Sequence, residues 1–193
     1  MIEYLLFAVS SALVLLATNL DNLAVLLGLM LSLPRRVAVA GFWVAQGIVL
    51  AVAYVAATGA SDAFAARVGY LGAVPVALGL WQLWSQWRAP TDDAPALDGK
   101  RSLGMVVALF LSLSVDSLLV MTPLLADSSG GFRLAALVGA AGMAALAGGG
   151  AAWLFAPGGA LPRVIPRLER LAPVIMILAG LYVLSNTGTD VVP

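Results

Sequence analysis

The sequence predicts an all-α membrane protein with six transmembrane helices arranged as two inverted three-helix repeats. Three observations lead there. Hydrophobic residues make up 62% of the chain and charged residues only 10%, whereas a soluble domain carries roughly 25% charged residues. The apolar residues fall into six runs parted by short polar segments, and each helical crossing of the hydrocarbon core needs about 20 of them. The first three runs and the last three also carry matching residues in the same order.

The first span is expected over about residues 3–31. It has no basic n-region and is too long for a signal peptide, so it reads as a membrane helix. The second, about 37–58, contains Gln46, an isolated amide among apolar residues. The third, about 70–87, ends with Trp81, Trp84 and Trp87, which fit an aromatic belt at the membrane surface. The most polar stretch follows, 89–101 with Pro90, Thr91, Asp92, Asp93, Pro95, Asp98, Lys100 and Arg101. It reads as a linker between the repeats, residues 1–88 and 102–193. The fourth span is expected over about 102–126, the fifth over 133–156 and the sixth over 171–187. The fifth carries Ala136, Ala140, Ala144, Gly148 and Ala152 at four-residue spacing, a stripe for close helix packing. Pro75, Pro123 and Pro173 lie inside spans, where proline is expected to bend a helix or free a carbonyl.

Charge sets the orientation. Arg35, Arg36, Arg88, Lys100, Arg101, Arg163, Arg167 and Arg170 fall on one side, against Arg67 and Arg133 on the other. Positively charged loops stay in the cytoplasm, so both termini are expected outside a cell's inner (plasma) membrane. The net charge is zero, which offers no attraction for nucleic acid. The chain has no Cys and no His, which removes thiolate and imidazole metal sites and His proton relays.

The repeat shows in three places. Asn19-Leu20-Asp21-Asn22-Leu23-Ala24-Val25 matches Ser114-Val115-Asp116-Ser117-Leu118-Leu119-Val120. Gly47 follows Asp21 at the same distance as Gly142 follows Asp116, and Leu78-Gly79-Leu80 matches Ala179-Gly180-Leu181. With three spans per half, the second copy enters the membrane from the opposite side, a plan known in secondary transporters.

Asp21 and Asp116 are the only charged residues deep inside the expected spans. A lone aspartate at mid-membrane costs roughly 2.5–3.5 kcal/mol on insertion scales, and such acids usually face the bundle interior on an ion or proton path. Thr18, Asn19 and Asn22 surround the first acid, Ser112, Ser114 and Ser117 the second, and Gln46 stands in a neighbouring span. Carboxylate, amide and hydroxyl oxygens of this kind suit a dehydrated cation, and the acids can exchange it for protons. Breaks in the helices near each motif would add backbone carbonyls.

These residues resemble the cadmium-resistance transporter family, within the lysine-exporter superfamily of small six-helix exporters. The marks are Ala17-Thr18-Asn19-Leu20-Asp21-Asn22-Leu23, Gln46-Gly47, Leu71-Gly72-Ala73-Val74-Pro75-Val76-Ala77-Leu78-Gly79, Ser114-Val115-Asp116-Ser117 and Gly180-Leu181-Tyr182. The resemblance implies two inverted repeats, export of divalent cations, and acids on the first and fourth helices as the key groups. By position those are Asp21 and Asp116, with Asn19, Asn22 and Gln46 nearby. Some members place a Cys beside the second acid, where this chain has Ser112 and Ser114. Oxygen donors favour manganese, magnesium or calcium over cadmium.

The expected function is therefore that of a secondary transporter exporting a divalent metal cation such as cadmium or manganese by proton antiport. Asp21 and Asp116 would serve both metal and proton, with Asn19, Asn22, Gln46, Ser114 and Ser117 as further metal ligands. No cofactor is expected; the cation is substrate. The expected partners are the cation, protons and the bilayer, with no nucleic acid, and a homodimer is compatible with the sequence. Export of amino acids or other small organic solutes is the alternative, although the spans offer no Arg or Lys for a carboxylate. An intramembrane aspartyl protease is a remote one, since neither acid stands in a Gly-x-Gly-Asp motif.

Overall fold

The computed structural model describes residues 1–64, 70–88, 102–154 and 171–185. The linker 89–101, with Lys100 and Arg101, falls outside the described residues, as do Arg67, Arg163, Arg167, Arg170 and the side chains of Trp87 and Arg88. The described residues form eight helices and no strand: α1 Ile2–Thr18, α2 Leu20–Ser32, α3 Arg35–Phe64, α4 Ala73–Arg88, α5 Leu103–Leu113, α6 Val115–Ala126, α7 Gly130–Leu154 and α8 Ala172–Ser185.

Two of these helices, α3 and α7, are each long and apolar enough to cross a membrane. Two further crossings arise if each bent pair counts as one: α1 with α2, bent by 58°, and α5 with α6, bent by 62°. The helices of α4 and α8 are apolar but shorter. The first and fourth expected spans are thus each two helices, broken at Asn19 and at Ser114.

The surface is that of a membrane protein. Leu5, Leu6, Val9 and Leu13 on α1, Val44, Ile48, Val52 and Val55 on α3, and Leu134, Val138 and Leu146 on α7 are exposed. A soluble monomer rarely shows apolar patches of this extent. Trp81 and Trp84 are exposed too. The interior is built from small residues. Ala136, Ala140 and Ala144 are buried, and Gly148 sits against Phe42 and Trp43, so the stripe of the fifth span faces inward.

Helix pairing interlocks the two halves. The main partner of α1 is α7, that of α4 is α8, and α3 lies on α5 and α6. Each contact is close. A Cβ at Gly139 would run into the carbonyl of Ala8, and Ser11 Oγ donates to the carbonyl of Ala136 at 2.9 Å. Between α3 and α5, a Cβ at Gly41 would stand 2.5 Å from Val106 Cγ1. Between α4 and α8, a Cβ at Gly79 would lie 2.7 Å from the Pro173 carbonyl and one at Gly180 2.6 Å from the Gly72 carbonyl. With Lennard-Jones contacts and no hydrophobic drive between helices in lipid, small residues set how closely backbones approach. Phe42 of α3 meets Phe110 of α5 edge-on, centroids 5.4 Å apart, in the core between the halves.

The prolines do not cause the sharp bends. Pro75 and Pro173 occupy the first turns of α4 and α8, where proline lacks no partner it would otherwise have. Pro123 alone lies inside a helix, near the end of α6.

Candidate functional site

Both breaks have the same local cause. Asn19 has φ −117° and ψ 13°, Ser114 φ −98° and ψ 17°, in the sparsely occupied region between helix and strand. Each side chain turns back on the helix it ends. Asn19 Nδ2 donates to the carbonyl of Leu15 at 2.9 Å, and Ser114 Oγ to that of Phe110 at 2.7 Å. Asn and Ser offer the backbone such alternatives to helix bonding, and here they satisfy carbonyls that a broken helix leaves open. The next helix then starts at once, so α2 and α6 begin in the middle of the bundle.

The two breaks meet. Asn19 Nδ2 also donates to Ser117 Oγ at 3.0 Å, and Asn22 Nδ2 to Ser114 Oγ at 3.0 Å. These two bonds are reciprocal: Asn19 and Ser114 stand 95 positions apart in the chain, and so do Asn22 and Ser117. Ser117 Oγ reaches Thr18 Oγ1 at 3.0 Å and the Thr18 carbonyl at 3.2 Å. From α3, Gln46 Nε2 donates to Asn19 Oδ1 at 2.6 Å and to Ser114 Oγ at 3.1 Å. Asn22 Nδ2 donates to Asn19 Oδ1 at 2.8 Å. Thr18, Asn19, Asn22, Gln46, Ser114 and Ser117 are all buried. All five neutral residues expected at the site therefore converge on one buried polar node. Ser112 does not join it in the described contacts; its hydroxyl donates to the Leu109 carbonyl at 2.7 Å.

One backbone carbonyl sets the polarity of the node. The Leu15 oxygen can only accept, so the Asn19 atom facing it is nitrogen and Asn19 Oδ1 points the other way. That oxygen also only accepts, so the Asn22 and Gln46 atoms facing it are nitrogens. Ser114 spends its proton on Phe110 and accepts from the same two nitrogens. The amide oxygens of Asn22 and Gln46 are left over. Both are buried and have no hydrogen-bond partner.

The acids are less enclosed than the node. Asp21 is exposed and Asp116 half-buried. The reason is helical phase. Asn19, Asn22, Leu23 and Leu26 share the inward face of the first motif, and one residue along a helix is a turn of roughly 100°. Asp21 therefore points off that face. Each carboxylate Oδ1 accepts the N–H of the following residue, Asn22 at 2.8 Å and Ser117 at 2.7 Å. Both stand in the first turn of their helices, where the positive end of the helix dipole favours negative charge. Their charges also act on each other.

Met121 and Met176 are fully buried in an apolar cluster with Leu15, Leu124 and Val183. Among the described residues no three His, Cys, Asp or Glu side chains gather, so a cation resting here would need neutral oxygens besides two carboxylates. The sequence missed the carbonyls of Leu15 and Phe110, which orient the node. Their only signal is the spacing of four residues from Asn19 and Ser114. No family model, curated protein or solved structure matches the chain.

Proposed function

We propose that the chain is a secondary transporter that exports a divalent cation in exchange for protons across a cell's inner membrane. The supporting observation is the meeting of two mid-bundle helix breaks at one buried polar node, with an aspartate in the turn after each break. Irregular backbone at membrane depth is tolerated where it is enclosed by protein or lines a cavity, and transporter sites are commonly formed by such broken helices. In this reading Asp21 and Asp116 neutralise the ion and take up protons when it leaves. Six crossings complete it, with α4 and α8 as the short third and sixth, the second half inverted, and both termini outside.

The reciprocal bonds support the inverted repeat. The 95-residue relation that pairs Asn19–Ser117 with Asn22–Ser114 also pairs the Ser11–Ala136 contact with the Val106–Gly41 contact. Through the match of Gly79 with Gly180, the Gly79–Pro173 approach pairs with Gly180–Gly72. Export of amino acids is less well supported. A substrate carboxylate would seek the N–H groups at the starts of α2 and α6, and those of Asn22 and Ser117 are already engaged by the two aspartates.

Purified protein in proteoliposomes tests the proposal. Manganese, magnesium, calcium or cadmium added across a pH gradient should drive proton movement, and Asp21→Asn and Asp116→Asn should each abolish it. Metal flux without proton movement would end the antiport mechanism, and no flux of any of the four ions would end the cation reading.

A further inference from the structure

The node contains five polar side chains expected to hold the ion, but they are not equivalent. The oxygens of Asn19, Ser114 and Ser117 are occupied. Asn19 Oδ1 accepts from two amides, Ser114 Oγ accepts from two and donates to Phe110, and Ser117 Oγ accepts from Asn19 while facing Thr18. Asn22 and Gln46 are the reverse case. Their nitrogens are held by Asn19 and Ser114, and their oxygens, in side chains 0% and 1% exposed, have no partner. A buried acceptor left unpaired costs about 1–3 kcal/mol, and here the polarity imposed by Leu15 prevents either amide from turning over to escape it.

We infer that Asn22 Oδ1 and Gln46 Oε1 are the neutral donors to the transported cation, and that Asn19, Ser114 and Ser117 are positioning residues that aim them. This rests on the cation reading above and deepens it. An amide whose nitrogen is anchored twice presents its oxygen in a fixed direction, which lowers the ordering cost of binding. In the cation reading these two carbonyl oxygens add to the charges of Asp21 and Asp116 to give an all-oxygen donor set, suited to a hard divalent ion. The set is also lopsided. Gln46 precedes Gly47, whereas Ala141 precedes the matching Gly142, so one half supplies an amide from its second span and the other supplies none.

The composition makes the test direct. The chain has three glutamines, Gln46, Gln82 and Gln86, and three asparagines, Asn19, Asn22 and Asn186. The double substitution Gln82→Ser, Gln86→Ser leaves Gln46 as the single glutamine without touching the node. This protein, carrying side-chain carbonyl 13C glutamine, is compared by infrared difference spectroscopy with and without manganese chloride, while thermal melting reports binding. Coordination draws electron density from the C=O bond, so the labelled band should move to lower frequency as the metal raises the melting temperature. A second labelling with asparagine, in an Asn186→Ser background, should show one of two bands moving, and Asn22→Ser should remove that one. Metal binding with every labelled carbonyl unmoved would overturn the donor assignment and leave the cation reading standing. If neither manganese, magnesium, calcium nor cadmium chloride raises the melting temperature of the wild-type protein, both fall together.

Discussion

At the residue scale, the charges and the hydrogen bonds of this site are separable. Asp21 and Asp116 each accept the backbone N–H of the next residue, a bond that an asparagine side-chain oxygen can also accept, so Asp→Asn at either position is expected to leave the node intact. Such a change keeps size and an oxygen but removes the charge that offsets a divalent ion's desolvation. Each variant should lose transport completely while melting at or above the wild-type temperature, since the insertion cost of a carboxylate is gone. A variant that melts well below wild type would mean the acids hold the fold. Protons and metal compete for the same carboxylates, so apparent metal affinity should rise with pH; a flat profile between pH 5 and 8 would count against proton exchange. Asn19→Ala is the opposite case. It strips both remaining amides of a shared acceptor and leaves the Leu15 carbonyl with Thr18 as its side-chain donor, and should cost about 1–3 kcal/mol of stability, read as a lower melting temperature in detergent.

At the element scale, glycines divide by what their missing Cβ would meet. Gly139 and Gly180 face backbone of a partner helix, Ala8 and Gly72, while Gly47 and Gly142 have nothing within 4 Å of a Cβ. Gly139→Ala and Gly180→Ala should therefore lower stability by about 1–3 kcal/mol through forced backbone shifts. Gly142→Ala should be neutral or raise it by roughly 0.5–1 kcal/mol, the ordinary gain from replacing glycine in a helix. Equal losses at all three would show that the packing does not set these positions. Packing does not explain why the sequence repeats glycine at 47 and 142. The sequence made the helices and the stripe legible, because apolar runs and four-residue spacing are local signals. It also anticipated breaks near the acid motifs. It did not locate them at Asn19 and Ser114, because a break depends on which side chain captures a carbonyl one turn back. Nor did it say which of the polar neighbours would join the node, because residues adjacent in sequence lie on different faces of a helix.

At the scale of the whole molecule, orientation is open to a simple experiment because the chain has no cysteine of its own. Ser129, exposed between α6 and α7, is expected outside, and Ser102, ahead of α5, inside. A cysteine at 129 should react with an impermeant thiol reagent on intact cells and one at 102 only after permeabilisation; the reverse pattern would invert the topology. The interlocked pairing has a further consequence, for the time during which the chain is being made. The ribosome delivers α3 before α5, α6 and α7 exist, so Phe42 has no Phe110 to meet and Gln46 no Ser114 to bond. The first half must wait with Asn22 and Gln46 bonded to Asn19 alone and its inner face bare. Newly inserted chains are thus at their most vulnerable between synthesis of the third helix and the fifth, and a fragment of residues 1–88 should be cleared by membrane proteases unless residues 89–193 are supplied in the same cell.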